Sequence, residues 1–247
     1  MDTAWGLGLG LLTVFGAGFV QGLTSFGFAL VCVPLLSTIL PISEVVPLVV
    51  ILSLGTNVLV LAGSYRDVEF GKMGILLVSS LVAAPLGTSA LVWLPPSLIK
   101  GVAGALILVV SVLLLVGRTF PTRSERLAYV PVGLLSGFLN GSVSMSGPPV
   151  ALFLSNQNTR KQTFRANITV YAILLNTFTV FTFLVGGLLT SRVAVASCWL
   201  VPTMILGVLL GNLSVQKVQQ QAFRRITLWL ILVSGLWTLS QAWGRFG

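Results

Sequence analysis

The amino-acid sequence predicts an all-α polytopic membrane protein with two inverted-topology repeats, each a broken, re-entrant helical hairpin plus three transmembrane helices. Three observations predict this class. Hydrophobic residues make up 55% of the 247 residues and charged residues 8%, whereas a soluble domain carries about 25% charged residues. Two polar, glycine-rich motifs recur in equivalent places of two long apolar segments. Basic residues are concentrated in a few of the gaps between apolar segments.

Eight apolar segments are predicted to be helical, because they are long and do not alternate with polar residues as β-barrel strands do. They lie at about 5–40, 44–64, 72–94, 97–117, 127–156, 162–186, 192–215 and 222–244. Most are long enough to cross a bilayer once at about 1.5 Å per residue. The first and the fifth are too long for one crossing and contain the glycine motifs. Each of these two is therefore predicted to form two short helices that meet at a break within the membrane.

The longest polar connection, residues 118–126, divides the chain into its two halves. It predicts a first repeat at 1–117, a cytoplasmic linker at 118–126 and a second repeat at 127–247. No gap between the apolar segments is long enough for a soluble domain. The whole chain is therefore expected to form a single transmembrane domain.

Basic residues predict the orientation, because lysine and arginine are retained on the cytoplasmic side of a membrane. If the first and fifth segments enter and leave on one side, eleven basic residues face the cytoplasm and three face outward; single crossings would divide them almost evenly. The eleven are Arg66, Lys72, Arg118, Arg123, Arg126, Arg160, Lys161, Arg165, Lys217, Arg224 and Arg225. The two halves are then inverted and both termini are non-cytoplasmic. Six spans with two re-entrant hairpins, or ten short spans, both satisfy this count.

The two glycine motifs predict a central binding site for an anion. The first begins at Gly18 and the second at Gly137, 119 residues later. Broken helices at membrane depth occur where they line a cavity, and the free N–H groups of their short helices bind anions. The candidate ligand-binding residues of the motifs are Gln21, Gly22, Thr24, Ser25, Gly27, Asn140, Gly141, Ser142, Ser144 and Ser146. The alternative interpretation is that these small residues only pack helices together.

Three further polar residues outside the motifs complete the candidate site. Asn57 and Asn176 occupy equivalent places in the two repeats, and an asparagine in lipid needs a partner. Either a bridge to the broken backbone or direct contact with the ligand would supply one. Arg165 could extend to the lipid headgroups, or it could turn inward and clamp an oxyanion.

The composition also excludes several function classes. The chain has no histidine, and no aspartate or glutamate lies within a predicted span, so a cation carrier, a metal site or a hydrolase would lack its ligands or its base. No cofactor and no catalytic residue are expected, and Cys32 and Cys198 are expected to be small buried hydrophobic residues. Nucleic acid is excluded, because no aromatic residues alternate with the basic ones. The expected partners are a small anionic substrate and the lipid bilayer. A homodimer is an alternative to a monomer.

The paired motifs, of the form Gly-Phe-x-(Gln/Asn)-Gly with Gly147-Pro148-Pro149 after the second, resemble those of the sulfite exporter TauE/SafE family, also called the sulfonate permease family. The resemblance covers essentially the whole chain, although the first motif has fewer glycines than the family's pattern. It implies a carrier of the bacterial inner membrane and maps the site to residues 21–27 and 140–147.

From the residues and this resemblance together, we predict a secondary transporter that works by alternating access. The resemblance implies that it exports a small sulfur-containing anion, such as sulfite or an organosulfonate like sulfoacetate or taurine. A passive anion channel with the same hairpins is one alternative. A non-transporting membrane subunit that assembles other proteins is an alternative of a different class.

Overall fold

The computed structural model describes residues 4–69, 73–95, 97–99, 101–102, 104–105, 108, 125–157 and 159–243. Over these residues the chain is helical and contains no β-strand, which confirms the all-α class. The helices are α1 Ala4–Thr24, α2 Phe28–Leu36, α3 Ile42–Ala62, α4 Met73–Trp93, α5 Glu125–Val143, α6 Gly147–Asn156, α7 Lys161–Val185, α8 Ser191–Val215 and α9 Gln220–Trp243, with a short 3-10 helix at Tyr65–Asp67. Most of the predicted segment 97–117 and of the linker 118–126 lies outside the described residues.

Both predicted breaks are present, one between α1 and α2 and the other between α5 and α6. Each contains a serine in the left-handed region, Ser25 with a φ of 72° and Ser144 with a φ of 60°. Residues other than glycine seldom adopt this conformation, which is found preferentially at functional sites. The backbone N–H of Ser25 donates to the carbonyl of Gln21 at 2.6 Å, and that of Ser144 to the carbonyl of Asn140 at 2.9 Å. The two breaks therefore share one backbone geometry, in the register that the sequence predicts.

Each hairpin has one long and one short arm, so the prediction of two short arms is wrong for the first arm of each. α1 has 21 residues and α5 has 19, whereas α2 has 9 and α6 has 10. At 1.5 Å per residue, a long arm is about as long as the hydrocarbon core is thick, and a short arm reaches about half of it. The glycines in the long arms do not break the helices, because most of them lie against a neighbouring helix.

Each long arm packs against a helix of the opposite half, α1 against α8 and α5 against α4. A Cβ atom at Gly22 would lie 2.4 Å from the carbonyl oxygen of Val208, and one at Gly141 would lie 2.3 Å from that of Ala84. At either position a larger residue would require one of the two backbones to move. Membrane helices commonly pack closely through small residues in this way. The packing interpretation of the small residues therefore holds for these two glycines.

Five of the described helices, α1, α3, α4, α7 and α8, are long and apolar enough to cross a membrane. Two of them, α3 and α7, lie side by side and run antiparallel. The end of α3 leads to Glu69, whose backbone N–H donates to Oδ1 of Asn167 near the start of α7 at 2.9 Å. At the other end, Glu44 in the first turn of α3 forms an ion pair with Arg192, which follows the end of α7, at 3.6 Å.

Several of the described segments that carry basic residues meet at one end of the molecule. Lys161 donates through Nζ to the carbonyl oxygens of Val215 and Val218 at 3.1 and 2.7 Å, which joins the start of α7 to the connection between α8 and α9. Gln157 donates to the hydroxyl of Tyr129 at 3.4 Å, so α5 begins at this same end. We call it the basic end. The side of the membrane that it faces, and the inverted relation of the two halves, remain predictions.

Labelling of single cysteines tests this arrangement. Arg66 and Lys217 are exposed near the basic end, and Arg192 is exposed at the opposite end. In a background without Cys32 and Cys198, a membrane-impermeant maleimide added to intact cells is expected to label Arg192→Cys but neither Arg66→Cys nor Lys217→Cys, because lysine and arginine collect on the cytoplasmic side. Labelling of the two basic-end cysteines on opposite sides of the membrane would contradict the arrangement.

Candidate functional site

The two breaks meet at a small cavity with a volume of about 20 Å³, which is room for about one water molecule. Its walls come from both hairpins and from the antiparallel pair α3 and α7. The lining residues are Gln21, Ser25, Phe26, Ala29, Ser53, Asn57, Ser144, Ser146, Gly147, Ile168, Tyr171, Ala172 and Asn176. Among them are six of the residues that the sequence predicts for the site: Gln21, Ser25, Asn57, Ser144, Ser146 and Asn176.

The cavity lies near the middle of two helices that are long enough to span the membrane. Ser53 and Asn57 are one turn apart on α3, and Ala172 and Asn176 are one turn apart on α7. Both pairs stand near the midpoint of their helix. The spacing of 119 residues that relates the two breaks also relates these pairs, so equivalent positions of the two halves face one cavity. A depth near the middle of the bilayer is typical of transporter sites built from broken helices.

Three polar atoms of the lining are buried without a hydrogen-bond partner among the described residues. They are Oγ of Ser25, Oγ of Ser144 and Oδ1 of Asn176, in residues that are 0%, 5% and 3% exposed. A buried polar atom left unpaired costs about 1–3 kcal/mol, so such atoms are few in folded proteins and each needs an explanation. Three of them around one cavity mark it as a polar site, whose atoms a water molecule or a polar ligand would pair.

The first break is held together by Gln21. Its Oε1 accepts from the backbone N–H of Phe28 at 2.9 Å, and its Nε2 donates to the carbonyl of Ser25 at 3.1 Å and to Oδ1 of Asn57 at 2.8 Å. One side chain thus joins the end of α1, the start of α2 and the middle of α3. Asn57 serves the broken backbone through Gln21, as the bridging interpretation expects, and it also lines the cavity.

The second break is held by different side chains. The hydroxyl of Ser136 donates to the carbonyl of Ser146 at 2.7 Å and accepts from the hydroxyl of Tyr171 at 2.6 Å. Tyr171 also bonds Ser80 on α4 and lines the cavity. Asn140, which occupies the position equivalent to Gln21, donates instead to the hydroxyl of Thr179 at 2.9 Å. The two halves therefore share a backbone geometry but not the side chains that stabilise it.

Sequence reasoning missed Tyr171 and Ser53 as lining residues. Ser53 could have been found, because it lies one turn before Asn57 and therefore on the same face of the helix. Tyr171 gives a weaker signal, a single phenol in an apolar segment, and its partners Ser80 and Ser136 are 91 and 35 residues away. Nothing in the sequence links these three residues.

Two short helices begin at the cavity, α2 after Gly27 and α6 after Ser146. The start of a helix has free N–H groups and carries a partial positive charge, which favours an anion. α6 begins with Gly147-Pro148-Pro149, and proline has no N–H group. α2 therefore offers more backbone donors than α6, although Gln21 already binds the N–H of Phe28.

Arg165 lies outside the cavity and binds the end of α1. Its guanidinium donates to the carbonyl oxygens of Gly22 at 2.7 Å and Leu23 at 2.9 Å, and to Oδ1 of Asn212 at 2.8 Å. The last carbonyls of a helix lack an intrahelical partner and carry partial negative charge, so a cation stabilises them. Arg165 is only 6% exposed, which leaves no path to lipid headgroups. In this structure it is a helix cap and not a lining residue.

The other predicted residues lie behind the cavity wall. The hydroxyls of Thr24 and Ser142 bond carbonyls one turn back in their own helices, at 2.8 and 2.7 Å. A Cβ atom at Gly27 would lie 2.3 Å from the side chain of Val20. Gly22 and Gly141 form the close helix contacts, and Asn140 bonds Thr179. Each therefore shapes a break without reaching the cavity.

Cys32 is buried, but Cys198 is exposed, which corrects the prediction for Cys198. It stands on a face of α8 whose neighbours Val195 and Trp199 are also exposed. An apolar neighbourhood in the sequence of a membrane helix indicates contact with lipid as readily as burial in the protein. Within the described residues, no three His, Cys, Asp or Glu side chains form a group that could hold a metal ion.

Comparison with protein-family models connects this architecture to a known group of proteins. A family model described as "Sulfite exporter TauE/SafE" matches residues 10–238. This match covers nearly the whole chain and confirms the resemblance indicated by the paired motifs. Comparisons with curated proteins and with solved structures found no match.

Removal of the Arg165 cap should destabilise the fold. Arg165→Met removes the donor of one buried acceptor and two half-buried ones. We expect a loss of about 2–4 kcal/mol, less than the sum of three charged hydrogen bonds at about 1.5–3 kcal/mol each, because water can reach the half-buried acceptors. Arg165→Lys should lose less, since it keeps the charge without the planar fork. The measurement is thermal unfolding in detergent, with Arg192→Met as the matched control at an arginine that is 70% exposed. Equal melting temperatures for Arg165→Met and the unmodified protein would contradict the capping role.

Proposed function

The chain belongs to the sulfite exporter TauE/SafE family, whose members are membrane transporters of sulfur-containing anions, and from this premise we propose that it exports a small anion of this class by alternating access. The substrates proposed are sulfite and small organosulfonates. The proposed location is the bacterial inner membrane, with the basic end facing the cytoplasm and both termini on the other side.

One observation supports a specific binding site for this anion. Ser25 and Ser144 come from the two breaks, adopt the same left-handed backbone and leave both hydroxyls unpaired beside one cavity. A serine hydroxyl can donate to an oxyanion without bringing a charge into the membrane. Ligand contact is proposed for the six predicted residues that line the cavity: Gln21, Ser25, Asn57, Ser144, Ser146 and Asn176.

The remaining candidate residues are proposed to act on the site through the backbone of the breaks. Arg165 fixes the end of α1, from which Ser25 follows directly. Gly22 and Gly141 let the long arms lie close to α8 and α4. Thr24, Gly27, Asn140 and Ser142 pack behind the cavity wall.

The charge around the cavity favours an anion over a cation. Of the described residues that line it, none is aspartate or glutamate, and buried carboxylates are the usual ligands of cations in membrane carriers. The starts of α2 and α6 add partial positive charge from two directions. The site therefore complements a small oxyanion with hydroxyls, amides and helix ends.

The small size of the cavity supports a carrier over a continuous pore. Its volume of about 20 Å³ is close to that of a single water molecule, so an oxyanion requires it to open. Toward the basic end, Phe26 in the cavity wall contacts Phe164 edge to face, with ring centroids 6.3 Å apart, and Phe164 contacts Phe223 in the same way at 5.5 Å. All three rings are buried. Opening toward the basic end would require these rings to separate.

The arrangement of α3 and α7 also supports alternating access. Equivalent residues of these two helices, Asn57 and Asn176, face one cavity from helices that run in opposite directions. Inverted repeats around a central site are the usual construction of carriers that open alternately to the two sides.

The serine hydroxyls provide the test of this function. Ser25→Ala and Ser144→Ala remove one hydroxyl each, and each should weaken anion binding about tenfold, because one hydrogen bond to a charged group contributes about 1.5 kcal/mol or more. The matched control is Ser89→Ala, outside both breaks, whose hydroxyl bonds the carbonyl of Pro85 one turn back on an exposed face of α4. Binding is measured by thermal shift of the purified protein with sulfite and methanesulfonate.

Transport by the same variants in proteoliposomes separates the alternatives. A carrier should show saturable counterflow of sulfite that both cavity variants weaken and the control leaves unchanged. Flux without saturation would indicate a channel. Native affinity in both cavity variants would contradict the proposed site, and no flux through the purified chain would favour an assembly subunit.

A further inference from the structure

We propose that the species bound in the cavity carries a single negative charge, so that sulfite binds as hydrogensulfite and the dianions sulfite and sulfate are rejected. This inference rests on the proposed function, because it concerns the ligand of the same site. It goes further by naming the charge state of the ligand, which the arrangement of charges around the cavity determines.

Among the residues that the structure describes, no cationic side chain lines the cavity. Of its described lining residues, none is lysine or arginine. The nearest candidate in the sequence, Arg165, is not among them, and its guanidinium is bound by the carbonyls of Gly22 and Leu23 and by Oδ1 of Asn212. Rotation of Arg165 toward the cavity would leave these three acceptors without their donor, the carbonyl of Gly22 in a buried position, so its charge stays with the end of α1.

The positive charge that does reach the cavity comes from two helix ends. α2 and α6 both begin there, and each helix N-terminus is equivalent to roughly half an elementary charge. Together they amount to at most about one positive charge, because Pro148 and Pro149 in the first turn of α6 have no N–H group. This can balance a monoanion but leaves a dianion at least half uncompensated. The cost of transferring an ion from water to a medium of low dielectric rises with the square of its charge, so a dianion costs about four times as much as a monoanion of the same size.

Hydrogen bonding favours the same charge state. The unpaired groups of the cavity are two hydroxyls, at Ser25 and Ser144, and the Oδ1 acceptor of Asn176. The sulfite dianion, sulfate and methanesulfonate have only acceptors and leave Oδ1 of Asn176 unpaired. Methanesulfonate therefore meets the charge requirement of the site but not this hydrogen bond. Hydrogensulfite has one O–H group that can donate to this atom and oxygens that accept from both serines. Its donors and acceptors thus match those of the site.

Three ligands distinguish an effect of the ligand's charge on binding from an effect of its shape. Sulfite changes between monoanion and dianion near neutral pH, methanesulfonate is a monoanion throughout, and sulfate is a dianion throughout. The protein itself contributes little titration in this range. It has no histidine, and the one titratable residue in the described lining is Tyr171, whose hydroxyl bonds Ser80 and Ser136.

Other titratable or charged groups on the packed helices lie away from the cavity. On α7, Lys161 donates to the carbonyls of Val215 and Val218 and Arg165 caps α1. On α3, Glu44 pairs with Arg192 of α8 at the opposite end. On α2, Cys32 is buried outside the lining. Any effect of these groups would appear equally with methanesulfonate, which therefore serves as the internal control.

The experiment measures the affinity of the purified full chain in nanodiscs for these three ligands from mildly acidic to mildly alkaline pH, with oxygen excluded to protect sulfite. Above the pKa of hydrogensulfite, the apparent affinity for sulfite should fall about tenfold per pH unit, because only the monoanionic fraction binds. The affinity for methanesulfonate should stay constant, and sulfate should bind at least about tenfold more weakly than methanesulfonate.

Two results would overturn the inference while leaving the proposed function in place. One is an affinity for sulfite that stays level or rises with pH, and the other is binding of sulfate as tight as that of methanesulfonate. Absence of binding by both sulfite and methanesulfonate at every pH would instead overturn the proposed function, and this inference with it.

Discussion

The structure depends on one constraint: a helix that is interrupted inside a membrane leaves backbone N–H and C=O groups that lipid cannot satisfy. Gln21 satisfies groups on both sides of the first break, and Arg165 binds the carbonyls at the end of α1. At the second break, Tyr171 and Ser136 bond in series to the carbonyl of Ser146. Once these groups are paired, the polar atoms that stay unpaired are few, and three of them line one cavity. The proposed binding site thus consists of the polar atoms that remain after the breaks have been stabilised.

The two breaks have the same backbone geometry, but different side chains pair their free backbone groups. Ser25 and Ser144 share a left-handed conformation and the same N–H bond to the residue four positions earlier. An amide, Gln21, then holds the first break, whereas a phenol and a hydroxyl hold the second. The shared backbone geometry places both serines at the cavity. The supporting side chains can differ because any donor or acceptor of suitable reach satisfies a backbone group.

Much of the fold and about half of the candidate site could be predicted from the sequence. The breaks and the pairs Ser25–Ser144 and Asn57–Asn176 follow from local composition and from one spacing that both halves share. The role of Arg165 could not be predicted, because its partner carbonyls are 142 and 143 residues away. Gly22 and Gly141 were equally ambiguous, since close packing and close approach to a ligand both require glycine. Tertiary contacts decide between such alternatives, and a single sequence does not contain them.

The most direct test of the central claim is an anomalous difference map from crystals of the unlabelled protein grown with selenite, an analogue of sulfite whose selenium scatters anomalously. If the two breaks form the anion site, the strongest peak should lie between the hydroxyls of Ser25 and Ser144, within hydrogen-bond distance of selenite oxygens and beside the amide of Asn176. The cavity should be larger than its present volume of about 20 Å³. A strongest peak at an exposed arginine such as Arg192 or Arg225, with none between the two serines, would contradict the account.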